Sequence, residues 1–389
     1  MKNKQQNNHV ITIALAHLAH DTYSAFLAPL LPLLIEKLRI SLAMSGFLDI
    51  ARKIPSLLNP FFGLLAERSD ARYFVILSPA ITAVCMSLLG VASSYEMLVV
   101  LLVISGISST LFHIPSPGII KAASGDKLGR GMSYYMVGGE LARTVGPLLV
   151  TGAISLWGLE GTYRLIPFGL VASLILYFRL RDFEFTQKKF HKKIEKGSVK
   201  KELYRFLPLF SVMSGFMFFQ SAMKMATTLY LAVYLTGEGF SLWYASIAIS
   251  VLQFFGVVGT FLSGTISDKI GRQKTLVIMS FAAAVTMSLF LVSHTLYSTF
   301  LLLALLGIFM FANGPIMLSV IHEIKTEMPT FINSVYMTIN FSISSIVVFM
   351  MGFFGDSIGL HTTYEVAAVM AFVAVLFALM LQKNIEKLS

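Results

Sequence analysis

Long apolar runs, separated by short polar segments, repeat along the whole chain. Each run is close to the roughly 20 residues that a helix needs to cross a bilayer. Apolar and polar residues do not alternate with a period of two, so helices rather than a β-barrel would satisfy the backbone in lipid. The pattern therefore predicts an all-α membrane protein with twelve transmembrane helices. Their expected ranges are 9–35, 42–66, 73–92, 97–120, 131–155, 162–179, 205–235, 242–266, 275–293, 297–321, 331–355 and 363–382.

The composition indicates the same class of protein. Of the 389 residues, 56% are apolar and only 13% are charged, and the mean hydropathy is +0.76. So few charges cannot cover the surface of a soluble fold, and so many apolar residues exclude a disordered chain. The single cysteine, Cys85, lies in an apolar run and excludes a disulfide framework or a thiolate metal cage.

The basic residues are distributed unevenly between the two sides of the predicted membrane. The net charge is +10, and with a cytoplasmic N-terminus 23 of the 30 lysines and arginines fall on the cytoplasmic side. The opposite side holds only Lys37, Arg39 and Arg164, and four more bases lie inside predicted spans. By the positive-inside rule, we expect both termini in the cytoplasm and no nucleic-acid partner. The first apolar run is too long for a signal peptide, so we expect the first helix to be retained.

The largest polar segment runs from Arg179 to Arg205 and carries ten basic residues. It divides six predicted helices from six, and we interpret it as a solvated linker that contacts anionic lipid headgroups. The predicted domains are an N-terminal bundle at 1–180, a basic cytoplasmic linker at 181–204 and a C-terminal bundle at 205–389.

An internal repeat appears at an offset of 201 residues. This offset pairs Gly106 with Gly307 and the dipeptide Tyr135-Met136 with Tyr336-Met337. It also pairs the loops after helices 2 and 8, where we expect each first glycine to let two helices approach closely. A duplicated six-helix unit with parallel halves is typical of secondary transporters.

The loop after helix 8 reads Gly264-Thr-Ile-Ser-Asp-Lys-Ile-Gly-Arg-Gln-Lys274 and resembles the signature loop of the major facilitator superfamily. The first copy departs from this motif, with Glu67 for Asp and Asp70 for Gly. The resemblance implies the superfamily fold of two six-helix bundles and alternating access between them. It also implies a gating role for Gly63, Glu67, Arg68, Gly264, Asp268, Lys269, Gly271 and Arg272.

A finer resemblance lies in helices 1, 4 and 5. The elements are His17-Leu-Ala-His-Asp21, Leu111-Phe-His-Ile-Pro115, Met136-Val-Gly-Gly139 and Val145-Gly-Pro147. Together they are similar to the fosmidomycin-resistance family of bacterial efflux proteins, which implies proton-driven drug export across the inner membrane. The Gly-Pro element resembles the antiporter motif of helix 5. The chain departs from the family in its charged residues within helices 2 and 5, and in Ala142, where a glycine is expected.

Seven charged residues lie inside the predicted spans. A charge in the bilayer costs at least about 2.5–3.5 kcal/mol on insertion scales, so each is a candidate for function. They are Asp21, Asp49, Arg52, Lys53, Glu140, Arg143 and Lys224.

In helix 1, His17, His20 and Asp21 share one face at i, i+3 and i+4. Asp21 falls near the middle of the span, and carboxylates and imidazoles at such depths exchange protons. The residues allow three interpretations. The first is a proton-coupling site, the second is a structural Asp–His pair, and the third is metal ligation by His17, Asp21 and His113.

In helix 2, Asp49 precedes Arg52 and Lys53 by three and four residues, and in helix 5 Glu140 precedes Arg143 by three. One interpretation is structural ion pairing between helices. Another is that the bases bind an anionic group of a substrate, with the acids competing for them. Snorkelling towards the interface is a third.

Helix 7 carries Lys224 with Gln220 four residues before it, and no acid lies at helical spacing from the lysine. A binding role and a structural role both remain open for this residue. The proposed substrate-binding residues are Arg52, Lys53, Arg143, Lys224, His113, Tyr23 and Gln220, and the proposed proton-coupling residues are Asp21, His17, Glu140 and Asp49.

Motifs for hydrolytic, phosphate-binding or metalloprotease chemistry are absent, so we expect no enzyme, no cofactor and no resident metal. The prediction is a monomeric secondary transporter that exports a small anionic or zwitterionic molecule or drug in exchange for protons. The alternative is a proton-coupled importer of an anionic metabolite or a metal chelate such as a siderophore.

Overall fold

A computed structural model describes residues 2–59, 61–62, 65, 69–124, 128–182, 196–293, 295–324, 326 and 329–386 of the chain. Nearly all of these residues are helical. They form two compact units, one of Met1–Phe190 with Leu235–Ser250, and one of His191–Tyr234 with Val251–Ser389. The predicted domain limits at 180 and 205 remain a prediction, and residues 235–250 cluster with the first unit.

The first unit contains eight helices of the described chain. They are α1 (Lys2–Ser24), α2 (Leu27–Leu38), α3 (Leu42–Lys53), α4 (Arg72–Ser87), α5 (Tyr95–His113), α6 (Ser116–Ser124), α7 (Leu128–Trp157) and α8 (Ile166–Leu180), with 3₁₀ turns at Ile54–Leu58, Leu88–Val91 and Glu160–Leu165.

The second unit is built from the remaining helices that the structure describes, apart from residues 235–250, which belong to the first unit. They are α9 (Lys196–Thr228), α10 (Leu231–Gly237), α11 (Leu242–Ile270), α12 (Arg272–Leu291), α13 (Leu296–Glu323), α14 (Pro329–Ile358) and α15 (Leu360–Glu386).

Several helices begin at a polar capping residue that the sequence supplies. The hydroxyls of Ser41 and Ser94 accept hydrogen bonds from the backbone N–H groups of Met44 and Met97, at 3.1 Å and 3.3 Å. Each cap satisfies one of the N–H groups that a helix leaves unpaired at its start. These caps fix where α3 and α5 begin.

Ten helical segments within the described residues are long and apolar enough to cross a bilayer, and each corresponds to one predicted span. The predicted count of twelve is not confirmed. The predicted span 131–155 lies inside α7, where two charged residues, Glu140 and Arg143, reduce its apolar character. The predicted span 42–66 corresponds to α3 and a 3₁₀ turn, followed by residues of which only some are described.

The first predicted span is interrupted after Ser24, three residues beyond Asp21. The N–H of Ala25 still donates to the Asp21 carbonyl at 3.0 Å, but the N–H of Phe26 turns to the Tyr23 carbonyl. The chain continues as α2, with Pro29 in its first turn, where the missing N–H costs no helical hydrogen bond. Asp21 therefore lies in the last turns of α1.

The packing inside each unit repeats the sequence offset. A Cβ added at Gly106 of α5 would lie 2.0 Å from the carbonyl oxygen of Arg52, and one added at Gly307 of α13 would lie 2.3 Å from that of Leu252. Arg52 and Leu252 are 200 residues apart, within one residue of the repeat. Both glycines allow two helices to approach closely, so the duplication extends from sequence to helix packing.

Each unit has its own apolar core. In the first unit, Ile13, Phe112 and Tyr135 belong to a cluster that joins α1, α5 and α7. In the second unit, Phe216 and Tyr336 belong to a cluster that joins α9 with α13, α14 and α15. The aromatic rings of the first core contact the polar residues described next.

Candidate functional site

Asp21 lies at the centre of a group of three histidines in the first unit. Its Oδ1 is 2.8 Å from Nδ1 of His20 and 3.2 Å from Nε2 of His113, and its Oδ2 is 3.2 Å from Nε2 of His17. Asp21, His17 and His20 are each no more than 5% exposed. The predicted face of helix 1 is thus assembled, and His113 of α5 joins it. We call Asp21 and these three histidines the Asp21 cluster.

Two glycines of α7 make room for the cluster. A Cβ at Gly139 would lie 2.3 Å from Cε1 of the His17 ring, and one at Gly138 would lie 2.3 Å from the Ala14 carbonyl oxygen. α7 can therefore pack closely against α1 only because both positions lack a side chain. The His17 ring also stacks on Tyr135 with their centroids 4.1 Å apart.

The tautomer of His17 follows from its partners. Its Nδ1 lies 2.8 Å from the Tyr135 carbonyl oxygen, which can only accept, so Nδ1 carries a hydrogen. Its buried Nε2 is close to Asp21 but makes no aligned hydrogen bond with any described residue. The 3.2 Å contact is ionic only when His17 carries a hydrogen on both ring nitrogens.

Tyr135 connects two of the histidines. Its hydroxyl lies 3.3 Å from Nδ1 of His113, while its carbonyl accepts from His17. The sequence singled out Tyr135 only as part of a repeated dipeptide, and it predicted no contact with the histidines. Its position opposite His17 depends on how α7 packs against α1, which the sequence pattern does not specify.

A line of hydroxyl groups continues from His20. Thr82 Oγ1 of α4 lies 3.0 Å from His20 Nε2, and Thr82 donates to Ser108 of α5 at 2.9 Å. The Ser108 hydroxyl donates to the carbonyl of Ser78 at 3.0 Å. Sequence reasoning missed Thr82 and Ser108, because single serines and threonines are common in membrane helices and carry no spacing signal.

The Asp21 cluster also has the composition of a metal site. His17, Asp21 and His113 offer one ligand atom each within 4.8 Å of one another, which is the arrangement that the third interpretation of helix 1 requires. Asp21 lies 3.2 Å from Nε2 of His17 and 3.2 Å from Nε2 of His113, distances that fit direct polar contacts. The expectation of no resident metal remains a prediction.

Asp49 of α3 is 4% exposed and holds both of its predicted partners. Arg52 donates to Oδ1 at 3.0 Å and Lys53 to Oδ2 at 2.5 Å. Arg52 also donates to the Ser24 carbonyl at 3.1 Å, which ties α3 to the end of α1. The acid is buried while the two bases are partly exposed, so the bases are the groups presented to the surroundings.

Glu140 and Arg143 of α7 form the second predicted pair. One guanidinium nitrogen, Nη1, lies 2.9 Å from each carboxylate oxygen. The arginine side chain is 45% exposed and the glutamate side chain only 18%. As at Asp49, the acid is the more buried partner. The arginine retains N–H groups that do not contact Glu140.

In the second unit, Lys224 and Gln220 lie on one face of α9. Nζ of Lys224 lies 5.7 Å from the centroid of the Phe311 ring. Gln220 is buried, and neither of its amide atoms has a hydrogen-bond partner among the described residues. Buried polar groups are nearly always paired, so this amide calls for an explanation.

Asn313 of α13 is a second such amide, which the sequence did not single out. Its Nδ2 is buried without a hydrogen-bond partner in the described part of the chain, although Ser280 donates to its oxygen at 3.4 Å. Thr227 contacts Met310 at 3.5 Å. Together with the Lys224–Phe311 contact, this places Gln220 and Asn313 at similar levels of α9 and α13.

Tyr23 has a different environment from the other proposed substrate-binding residues. It is 4% exposed, and its hydroxyl donates to the Leu165 carbonyl at 2.7 Å. This bond occupies the polar end of the side chain, and a role in substrate binding remains a prediction.

The proposed gating residues are described only in part. Gly63, Glu67 and Arg68 lie outside the described residues. In the second copy of the loop, Arg272 lies 2.6 Å from Asp268 and 2.7 Å from Glu323 at the end of α13. Sequence reasoning missed Glu323, because it lies outside the repeated loop and belongs to no motif.

The two glycines of the second loop differ in what they do. Gly271 has φ +92°, a conformation that favours glycine, and it ends one helix and begins the next. Gly264 was expected to allow close helix approach, but no described atom lies within 4 Å of a Cβ added there. Close helix approach at Gly264 therefore remains a prediction.

The loop before α4 contains a further charged contact. Arg72 donates through Nε to Asp70 at 2.7 Å and through Nη1 to the Arg181 carbonyl at 2.8 Å. The hydrogen bonds from the Arg72 guanidinium hold the pKa of the Asp70 carboxyl below its usual range. The pair ties the loop to the end of α8.

Comparison with known proteins places the fold in context. The model of the Major Facilitator Superfamily matches residues 13–349. The fosmidomycin resistance protein of Escherichia coli (strain K12) is 22% identical over 368 residues, which are 94% of this chain and 90% of that protein. The multi-drug resistance efflux pump PmrA of Streptococcus pneumoniae serotype 4 is 22% identical over 274 residues, or 67% of each chain.

Solved structures of transporters share the fold. A bacterial homologue of the human lysosomal transporter Spinster, in an inward-facing and unoccupied conformation, has a TM-score of 0.79 at 16% identity and covers 98% of both chains. A D-xylose-proton symporter has a TM-score of 0.73 at 14% identity and covers 95% of this chain and 96% of its own. With the ten apolar helices, these matches indicate a multi-pass membrane protein.

Proposed function

Because this chain belongs to the Major Facilitator Superfamily, we propose that it is a monomeric secondary transporter of the bacterial inner membrane that exports a small anionic or zwitterionic compound in exchange for protons. Both termini are cytoplasmic in this proposal. Relatives named for fosmidomycin resistance and multi-drug efflux support export. Alternating access by the two bundles would carry the compound across the bilayer.

The observation that carries the proposal is the Asp21 cluster. A carboxylate among three imidazoles can bind a proton or a cationic group of a substrate, and it cannot bind both at once. Arrival of one therefore releases the other, which is the requirement for exchange. A buried charge in a membrane helix is costly, and a coupling role explains why one is kept here.

The anionic group of the compound would bind the bases of the first unit. Arg52, Lys53 and Arg143 are each more exposed than the acids that they contact. Arginine presents a planar set of donors that matches a carboxylate or phosphonate. A zwitterion could thus place its anionic group on these bases and its cationic group on Asp21.

Gln220 and Lys224 are the proposed binding residues of the second unit. Gln220 has two buried amide atoms without partners in the described residues, and Lys224 lies one turn further along α9. Leaving such an amide unpaired costs about 1–3 kcal/mol. A substrate that pairs with it would recover this cost, which supports the assignment of both residues to binding.

Inverted membrane vesicles test the proposal. Vesicles are acidified inside, and the pH gradient is followed by fluorescence while fosmidomycin or other anionic and zwitterionic compounds are added. We expect at least one compound to dissipate the gradient, and vesicles with Asp21→Asn to give no response. If no compound changes the gradient in the wild type, proton exchange is contradicted.

A second candidate, proton-coupled import of an anion, is favoured by the Asp49 contacts. Both oxygens of Asp49 are occupied by Arg52 and Lys53. Protonation of Asp49 would release these bases, so a proton and an anion would bind together rather than in turn. Right-side-out vesicles with an acidic exterior distinguish the two functions, because only the importer accumulates the anion there.

A further inference from the structure

A chain of hydrogen bonds leads from Asp21 through three helices of the first unit. His20 Nδ1 lies 2.8 Å from Asp21 Oδ1, and His20 Nε2 lies 3.0 Å from Thr82 Oγ1. Thr82 contacts Ser108, and Ser108 contacts the Ser78 carbonyl. All of these side chains are buried, so no bulk water competes for their hydrogen bonds.

The hydrogen positions in this series of hydrogen bonds follow from the Ser78 carbonyl at its end, which can only accept. A carbonyl oxygen only accepts, so the Ser108 hydroxyl donates to Ser78. Each hydroxyl has one hydrogen, and the oxygen of Ser108 must therefore accept from Thr82. Thr82 has then used its only hydrogen, and its oxygen accepts from His20. Nε2 of His20 carries a hydrogen in this arrangement.

The contact between His20 and Asp21 requires one more proton. Their 2.8 Å separation is a direct hydrogen bond, so a hydrogen lies between Nδ1 and Oδ1. With Nε2 also protonated, the pair holds one proton more than a neutral imidazole beside an ionised carboxylate. This count is the same whether the shared hydrogen belongs to the nitrogen or to the oxygen.

We propose that His20 and Asp21 together hold the proton that is exchanged for substrate, and that Thr82 and Ser108 are positioning residues that keep the pair in this loaded form. The exchange step rests on the function proposed above. When the pair releases one proton to water, the proton leaves Nε2, the hydrogen between Nδ1 and Oδ1 stays and Nε2 becomes an acceptor. The Thr82 hydroxyl then turns to donate to Nε2, and it ceases to donate to Ser108.

Other groups contact Asp21 and His20 but not the hydroxyl groups of Thr82 and Ser108, and the His113 ring lies edge-on to His20 with centroids 5.5 Å apart. His17 of α1 faces Oδ2, His113 of α5 faces Oδ1, and Tyr135 of α7 contacts both of these histidines. The remaining face of His20 stacks on Phe112, with ring centroids 4.5 Å apart. Thr82 and Ser108 therefore respond to His20 alone among these imidazoles.

Nuclear magnetic resonance of protein with isotope-labelled histidine nitrogens tests the assignment directly. The full chain is reconstituted in lipid nanodiscs, and the His20 signals are identified by their loss in His20→Gln. We expect a hydrogen on Nε2 of His20. If Nε2 carries no hydrogen in the substrate-free protein and only Nδ1 is protonated, the proposal is overturned. This measurement needs no transport, so its failure is distinct from a failure of proton exchange.

Transport at a series of pH values tests the positioning role. Thr82→Val removes the hydrogen-bond acceptor of His20 Nε2 and preserves the shape of the side chain. Protonation of the pair then requires about a tenfold higher proton concentration, as for the loss of one hydrogen bond to a charged group. The pH of half-maximal exchange moves down by about one unit, and Ser108→Ala moves it in the same direction. Thr82→Ser restores the wild-type profile because it restores the hydroxyl.

Ser87→Ala is the matched control on the same helix. The Ser87 hydroxyl is buried and has no hydrogen-bond partner within the described residues, so its loss leaves the pH profile unchanged. If Thr82→Val and Ser108→Ala exchange protons with the wild-type profile, the positioning role is overturned. If the wild type shows no proton exchange at all, the proposed function fails and the resonance measurement alone decides the proton assignment.

Discussion

Gly139 of α7 lies directly against the imidazole of His17 on α1. A Cβ at this position would lie 2.3 Å from Cε1 and 2.4 Å from Nε2 of the ring, closer than side chains approach one another. The His17 ring cannot retreat freely, because its Nδ1 is bonded to the Tyr135 carbonyl and its face is stacked on Tyr135. His17 can therefore occupy its place in the Asp21 cluster only because residue 139 has no side chain.

Substitution Gly139→Ala is therefore expected to displace His17 and reduce proton-coupled exchange at least tenfold. The protein should remain folded, since alanine is favoured over glycine by about 1 kcal/mol in a helix and offsets part of the clash. The measurement is exchange in inverted vesicles beside thermal unfolding of the purified protein. Gly237→Ala, at the end of α10, is the matched control, because no described atom lies within 4 Å of a Cβ added there, and full activity is expected. Unimpaired exchange by Gly139→Ala would show that His17 need not hold this position.

Arg143 offers a test of anion recognition. Its side chain is 45% exposed, and its guanidinium contacts Glu140 through Nη1. Arg143→Ala is expected to raise the KM for an anionic substrate about tenfold, as for the loss of a hydrogen bond to a charged group. Arg72→Ala removes an arginine that binds Asp70 at a loop, and its KM should stay within about twofold of the wild type. Equal effects of the two substitutions would remove Arg143 from the binding site.

Gln220 allows binding to be separated from stability. Its amide is buried, and within the described chain it has no hydrogen-bond partner, so Gln220→Leu should raise the free energy of unfolding by about 1 kcal/mol. The same substitution should raise the substrate KM severalfold, because the substrate loses its partner. Thermal unfolding and transport kinetics measure the two effects. A change in stability without a change in KM would assign the amide to structure alone.

The sequence predicted those features that depend on a single helix. The apolar runs predicted the ten spans that the structure describes, and the spacing of His17 and Asp21 predicted their common face. The pairing of Asp49 with Arg52 and Lys53 also follows from helical spacing alone. These contacts depend on the 3.6-residue period, which a single sequence contains.

Contacts between helices were harder to predict. Tyr135 and Thr82 approach the histidines from α7 and α4, and that requires the register of one helix against another. Gly138 and Gly139 were the available signal, because adjacent small residues mark a close helix contact. No spacing rule links Thr82 with Ser108 or Arg272 with Glu323, and the sequence therefore left both unassigned.

The central claim is that Asp21 couples transport to protons, and Asp21→Asn tests it most directly. In proteoliposomes, asparagine keeps the size of the side chain but cannot carry the proton. We predict that uphill exchange driven by a pH gradient is abolished, while downhill counterflow of substrate continues at a rate near that of the wild type. Uphill exchange and counterflow that both persist unchanged would contradict the account and leave Asp21 with a structural role.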